Sequence, residues 1–312
     1  MAIFRQQPIC QGCGQPIQGR YLTALNATWH PEHFVCAACG RPIAEASFQV
    51  HQGAPYHASC YMQQIAPRCV YCGKPLMEKY LIDYWGNYFC AHHQNEYPAC
   101  AYCGRLVPPQ QQEPPGEDAG VVRCPLCRAS AIETVEEARP YYTQVKQWVG
   151  SQGLVYNNLP LSLDLCGPQR LAELLHESCQ NPTHAYGATV SSSYVHKGQV
   201  LSSEVKGVAV LRGLPAILFQ GITVHELGHV WLVVHGIRPL PTWAEEGFCE
   251  LLAYRFYHEI NTPESRYYIT GMEQNPDPIY GAGFRRIRAL ADKLGFSRFL
   301  ATMRATKTLP SS

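Results

Sequence analysis

Residues 216 to 254 read AILFQGITVHELGHVWLVVHGIRPLPTWAEEGFCELLAY, and the fold is decided in this stretch. His225, Glu226 and His229 form an H-E-x-x-H motif. The apolar residues around it (Ile217, Leu218, Phe219, Ile222, Val224, Leu227, Val230, Leu232) recur as in a buried helix. Four residues make about one helical turn, so both imidazoles fall on one face and can hold one zinc ion. Glu226 projects beside them and can take a proton from a zinc-bound water, the chemistry of metal-assisted hydrolysis. The plain alternative is a set of polar positions on an ordinary core helix. Against it stand a turn, Gly236 to Pro241, and a second helix from Trp243 to about Ile260 that offers Glu245, Glu246 and Glu250.

A catalytic zinc with two His ligands commonly takes a carboxylate third and leaves the fourth place to water. The segment WAEEGF resembles the W-x-x-E-G segment of the gluzincin metallopeptidases. That resemblance implies Glu246, next to the Gly, as the third ligand, and Glu250, one turn further on, as the carboxylate that orients the first ligand His. Glu245 lies about 100° round the helix and is expected to face solvent. Gly228 costs roughly 1 kcal/mol against Ala in mid-helix and is expected to leave room beside the metal.

A length of 312 residues leaves room for two or three domains, and 46% hydrophobic residues suit a chain with a sizeable core. The formal net charge of +1, with no basic stripe, argues against a nucleic-acid partner. No apolar run reaches the ~18 residues of a membrane span, and MAIFRQQPICQGCG lacks the apolar stretch of a signal peptide. No membrane association and a cytoplasmic location are therefore expected. Of 15 Cys, all but Cys166, Cys179 and Cys249 precede residue 128, nearly all in C-x-x-C pairs. In a reducing compartment that spacing reads as structural zinc.

Residues 1–67 supply Cys10, Cys13, His30 and His33, then Cys36, Cys39, His57 and Cys60, two closed tetrahedral sets. The flanking WHPEHFVCAACG and GAPYHASCY resemble a LIM domain, with His33 and His57 where that family usually has Cys. Residues 68–130 give a third set, Cys69, Cys72, Cys90 and His93, and a fourth, Cys100, Cys103, Cys124 and Cys127. His93 is preferred to His92 because its two-residue gap matches the other pairs. Six residues separate these two sets where a LIM domain has two, so the span reads as a LIM-like variant, with a Pro- and Gln-rich loop after Cys103. Twelve Cys and four His make sixteen ligands, enough for four structural zinc ions. The three remaining Cys are expected in the core.

Residues 131–312 read as the third domain. A helix interrupted at Pro140 leads to a short strand, and Pro168 opens another helix. The Val- and Ser-rich alternation between Tyr186 and Pro215 argues for a small antiparallel sheet. Val208 to Leu211 are the expected edge strand that pairs with a substrate backbone, as in peptidases of this class. A loop and two helical pieces end the chain. Tyr280 can supply the hydroxyl that gluzincins aim at the oxyanion, or it can be a packed Tyr beside a glycine turn. His51, His176, His184, His196, His235 and His258 have no partner spacing.

The succession of a LIM domain, a second zinc module, HELGHVWL, EEGFCELLA and IYGAGFR resembles the DA-one family of LIM-containing peptidases. The resemblance implies an α+β chain, with zinc-stapled LIM and LIM-like modules before a mainly helical gluzincin-type peptidase domain. It implies one catalytic zinc on His225, His229 and Glu246, Glu226 as the base, and protein or peptide substrates. Plant members are activated through ubiquitin and carry ubiquitin-interacting helices ahead of the LIM domain. Here Cys10 comes almost at once, so a minimal, bacterial-type member is expected, with ubiquitin as a partner by resemblance only. The other function the motifs allow is a LIM adaptor whose peptidase-like domain is a scaffold. An intact Glu226 argues against it, since a scaffold needs the metal and not the base.

Overall fold

The computed structural model describes residues 7–77, 79–113, 121–157, 159, 161–177, 186–196, 199–237 and 239–310, with the backbone alone at 176–177, 191–196 and 199–204. The expectations for Cys179, His184, the side chains of His176 and His196, and the loop beyond residue 113 fall outside the described residues. Two compact units make up the chain, residues 1–98 and 99–312. The division crosses the span expected as one LIM-like module. Cys100, Cys103, Cys124 and Cys127 consequently belong to the unit that contains the large helices.

In the first unit each C-x-x-C pair ends in a glycine with positive φ: Gly14 at 72°, Gly40 at 68° and Gly73 at 70°. Its N–H turns back to the carbonyl of the first Cys, at 2.7, 2.9 and 2.8 Å respectively. Only a residue without Cβ takes that conformation freely, so C-x-x-C-G is a preformed knuckle. Three short hairpins alternate with the knuckles: β1 (Leu22–Ala24) with β2 (Ala27–Trp29), β3 (Gln49–His51) with β4 (Ala54–Tyr56), and β5 (Tyr80–Ile82) with β6 (Tyr88–Cys90). Helices α1 (Ala58–Gln64) and α2 (His93–Glu96) and a short 3-10 turn at Pro31–His33 are the remaining described elements. The buried cluster of Phe34, Cys36 and Ile43, ringed by Trp29, Phe48 and Tyr56, is small. A core of this size needs metal staples to fold.

In the second unit a short 3-10 turn at Pro109–Gln111 precedes α3 (Pro125–Ala129) and β7 (Ala131–Ile132), followed by α4 (Val135–Ser151). A capping box starts α4: the Glu137 N–H donates to Thr134 Oγ1 at 3.3 Å and the Thr134 N–H donates to Glu137 Oε2 at 3.0 Å. Pro140 does not interrupt this helix as expected. It removes one early backbone bond, and a buried face of Tyr142, Val145, Trp148 and Val149 outweighs that loss.

Next come β8 (Ser162–Cys166), α5 (Pro168–Glu177), β9 (Gly187–His196) and β10 (Gln199–Leu211). Their order is β8-β10-β9, with β10 parallel to β8 and antiparallel to β9, so the sheet is mixed where an antiparallel one was expected. Val208 to Leu211 are not an edge: Val208 pairs with Leu163 on one side and Thr189 on the other. Their near-continuous apolar run suits a strand buried on both faces. The edge strand beside the motif helix is β9.

β11 (Leu214–Pro215) pairs with β7 and runs directly into α6 (Ala216–Val234), after which come α7 (Thr242–Ile260), α8 (Pro263–Gln274), α9 (Tyr280–Leu294) and α10 (Phe296–Thr306). α6 is long and apolar enough to cross a membrane, yet 78% of that window is buried inside the protein. It packs against α4, β10 and α7 as the core helix. A Cβ on Gly228 would stand 2.9 Å from Cys249 Sγ and 3.2 Å from Cys249 Cα. The room made by Gly228 admits α7 at Cys249, whose thiol lies in one cluster with His225 and His229, so this close approach sits beside the candidate metal centre. α7 lies in turn against α9, around Trp231, Phe248, Phe256, Phe284 and Phe299.

Candidate metal centre

His225 and His229 stand four positions apart on α6, about one helical turn, and their Nε2 atoms are 3.3 Å apart. Glu246 on α7 brings Oε2 to 3.2 Å from His225 Nε2 and 3.5 Å from His229 Nε2. A tetrahedral zinc with bonds of about 2.05 Å spaces its nitrogen and oxygen ligands about 3.3 Å apart, so the triangle has the size of one metal site. The opposite faces of the imidazoles say the same. His225 Nδ1 lies 3.1 Å from Glu250 Oε1, and His229 Nδ1 lies 3.1 Å from Glu245 Oε1. A carboxylate at Nδ1 holds the proton there and leaves the Nε2 lone pair free for a cation.

Glu245 is the residue the sequence reading misplaced. Expected in solvent, it backs the second imidazole as Glu250 backs the first. Its side chain is only 18% exposed. The helical angle from Glu246 was right, but α6 lies close enough for that direction to meet His229.

The electrostatics favour positive charge at the centre. Burial disfavours a charged imidazole, yet Glu246 and Glu250 outweigh it at His225 and raise its pKa well above the usual value. Burial likewise opposes an ionised Glu246, and the bonds from His225 and His229 still hold it well below the carboxylate range. Such a pocket takes protons on its imidazoles or a metal cation on their lone pairs.

Glu226 is buried beside the triangle, and that burial pushes its pKa up while the two imidazoles pull it back. Thr189 of β9 meets it with its hydroxyl 2.9 Å from Glu226 Oε2 and 2.9 Å from the Glu226 carbonyl oxygen. Two residues earlier on the same strand face, a Cβ on Gly187 would stand 2.9 Å from Glu226 Cγ and 3.0 Å from Oε1. Thr189 and Gly187 carry no motif, and no sequence signal short of the strand register could have found them.

Tyr280 begins α9, where Asp277 Oδ1 accepts from the N–H groups of Ile279 and Tyr280 at 2.8 Å each. One turn on, Gly283 lets the backbone of α9 touch the carbonyl of Trp243 at the start of α7, one turn ahead of Glu246. Tyr280 is 38% exposed, and partial desolvation of its hydroxyl, then the Glu246 charge, push it up to about 12. It stays a proton donor at neutral pH.

The four structural sets also have the size of zinc sites. Zinc bonds of about 2.05 Å to nitrogen and 2.3 Å to sulfur put N···S near about 3.6 Å and S···S near about 3.8 Å. Cys10 Sγ to His33 Nδ1 and Cys13 Sγ to His30 Nδ1 are each 3.5 Å, and His57 Nδ1 lies 3.4 Å from Cys39 Sγ and 3.8 Å from Cys60 Sγ. In the third set Cys72 and Cys90 are 3.8 Å apart, and the buried Nε2 of His93 has no hydrogen-bond partner, a lone pair left for a cation. His93 joins that set, and His92 is exposed. The fourth set, Cys100, Cys103, Cys124 and Cys127, is fully buried.

Residues 10–65 match the family model of the LIM domain, and residues 173–267 match the DA1-like model described as Protein DA1. The chain joins a LIM domain to a DA1-like region. Protein DA1 of Arabidopsis thaliana is 26% identical over 97% of this chain and 68% of its own length. Protein DA1-related 1 of the same plant is 26% identical over 97% of this chain and 66% of its length. The LIM domain-containing protein HDR3 of Oryza sativa subsp. japonica is 26% identical over 97% of this chain and 74% of its length. The chain thus spans about two thirds to three quarters of these relatives. The DA1-like region contains Thr189, His225, Glu226, His229, Glu245, Glu246 and Glu250, while Tyr280 lies beyond the matched residues. The LIM domain is a protein-interaction module, and the Cys and His clusters are sites for zinc.

Proposed function

We propose that the DA1-like region is a zinc-dependent peptidase acting on protein or peptide substrates, with the LIM domain recruiting or positioning them. The observation that carries this reading is the convergence of His225 Nε2, His229 Nε2 and Glu246 Oε2 within 3.2–3.5 Å of one another, with the buried Glu226 carboxylate alongside. Zinc held there supplies a water of lowered pKa and polarises the scissile carbonyl.

The residues of the chain do the rest. Glu250 and Glu245 hold the two imidazoles in the tautomer that presents Nε2. Glu226 accepts the proton of the attacking water, a role that its burial favours, and passes it to the leaving amine. Tyr280, protonated at working pH, donates to the oxyanion. The outer edge of β9 passes Glu226 at Gly187 and Thr189, and there an extended substrate pairs by strand addition. Four further zinc ions staple the Cys and His sets, five per chain.

The test is cleavage of an unbiased protein mixture by the wild type and by Glu226→Gln, with zinc measured in both. Cuts made by the wild type alone, at equal zinc, support the reading. No cleavage by a wild type carrying five zinc ions favours the LIM adaptor instead.

A further inference from the structure

We infer that Thr189 is the positioning residue of Glu226, fixing Oε2 so that Oε1 is the oxygen that exchanges protons with water and leaving amine. The inference rests on the peptidase reading and goes beyond it, because no motif or family feature brought to the site so far includes this residue.

Thr189 is buried, and its hydroxyl has one proton to give. Two acceptors lie at the same 2.9 Å: Glu226 Oε2 and the Glu226 carbonyl oxygen. That carbonyl belongs to the interior of α6 and already faces the helical N–H four residues on. The carboxylate is the charged acceptor and so the stronger one. The hydroxyl proton therefore serves mainly Oε2, while the carbonyl keeps the hydroxyl from swinging away. Held at both ends of one residue, the Glu226 side chain has a fixed carboxylate plane.

The other oxygen is free to react. Among the described residues no hydrogen bond reaches Oε1, and the group beside it is the bare backbone of Gly187. Strand geometry sets both contacts: residues 187 and 189 share one face of β9, pinned by the pairing of Gly187 with Val210 and of Thr189 with Val208. One face of the edge strand thus supplies a donor for one carboxylate oxygen and clearance for the other. When Glu226 takes a proton on Oε1, Oε2 becomes the carbonyl oxygen of the acid and still accepts from Thr189. The clamp holds through both halves of the proton transfer, and no proton is lost to Thr189.

The experiment uses the full zinc-loaded chain and fluorescein-labelled casein as the probe substrate. Wild type, Thr189→Val, Thr189→Ser and Glu226→Gln are compared for kcat, KM, zinc content and Tm. Val keeps the shape and removes the donor, whereas Ser keeps the donor. A carboxylate freed to swing costs on the order of ten- to a hundredfold in kcat. We expect that loss in Thr189→Val with KM and zinc unchanged, and recovery to within a few-fold in Thr189→Ser. An activity-free readout accompanies it: infrared difference spectra against the matching Glu226→Gln chains isolate the Glu226 carboxylate stretch, which moves in Thr189→Val and returns in Thr189→Ser. Unchanged kcat in Thr189→Val, or a Ser variant no better than Val, overturns the inference while leaving the peptidase reading intact. A zinc-loaded wild type no faster than Glu226→Gln sinks the peptidase reading and this inference with it.

Discussion

Replacing Glu245 with Gln tests the geometry where structure and sequence disagreed. The carboxylate stands 3.1 Å from His229 Nδ1, and its side chain is largely buried. The amide that replaces it can still accept through its oxygen, so the imidazole keeps its tautomer, but the charge that makes it a strong donor to the metal is gone. Losing such a partner typically costs 10–100-fold in metal affinity, or about 1.4–2.7 kcal/mol. Glu250→Gln should cost a similar amount, because Glu250 meets His225 Nδ1 at the same 3.1 Å. Glu246→Ala removes a charged atom of the triangle itself and should cost more than either. The assay is zinc content by mass spectrometry across a series of buffered free-zinc concentrations. His225→Ala, short by one zinc, marks the level set by the structural sites. The curve of the remaining ion gives the affinity of each variant. If Glu245→Gln binds as tightly as wild type, the contact to His229 carries no weight in the metal site. If it binds more weakly than Glu246→Ala, the third ligand has been assigned to the wrong Glu.

Gly228→Ala places a methyl 2.9 Å from Cys249 Sγ and 3.2 Å from its Cα, so overpacking of about 1–3 kcal/mol exceeds the roughly 1 kcal/mol of helix propensity gained. Chemical denaturation should show a net loss of stability, and a gain would mean that α6 and α7 cross less closely. Cys127→Ser should lose one zinc and loosen the second unit. Its Trp148, Trp231 and Trp243 should then report unfolding at lower denaturant, whereas Cys72→Ser should leave those three unchanged. Glu137 has its pKa lowered by the N–H groups of Glu133 and Thr134, so its contribution to α4 is present above the ordinary value of 4.5 and fades as pH falls through the lower folded value. Glu137→Gln should flatten that acid-side loss of helical signal, and an unchanged pH profile would remove the capping box as its source.

Much of this protein could be read before its structure, for a reason that differs from part to part. The four Cys and His sets are local pairs at fixed spacing, and the glycine after the first C-x-x-C of each set (Gly14, Gly40, Gly73, Gly104) completes a knuckle within five residues. His225 and His229 sit one turn apart on one helix, so periodicity alone aligns the two imidazoles. The unread parts depend on what packs against what. Glu245 pointed where the helical angle put it, but only the position of α6 shows that His229 waits there. The strand order β8-β10-β9 sets Val208 inside the sheet and Thr189 at the edge beside Glu226, and no local pattern distinguishes those two strands. α8 had a local signal, Thr262 before Pro263, yet its apolar face is too sparse to advertise a helix.

The fourth Cys set shows how far a shared motif can mislead about role. Its spacing groups it with the LIM-like knuckles, and its surroundings tie it to the candidate active site. From Cys124 and Cys127 the chain runs through α3 to Ser130, whose carbonyl accepts the Ala216 N–H at 2.8 Å, and to Ile132, whose carbonyl accepts the Gly213 N–H at 2.7 Å. Arg123, next to the first of these Cys, reaches the Gly213 carbonyl at 3.2 Å. At the other knuckle, Tyr102 packs edge-on against Tyr186, whose carbonyl holds the Leu211 N–H at 2.8 Å. Ala216 begins the helix that carries His225, Glu226 and His229, and Tyr186 precedes the strand that carries Thr189. A metal closing Cys100, Cys103, Cys124 and Cys127 therefore fixes the start of α6 and the start of β9 to one point. A zinc on these four Cys, with no open position for chemistry of its own, would thus anchor the Thr189–Glu226 contact from both its strand and its helix.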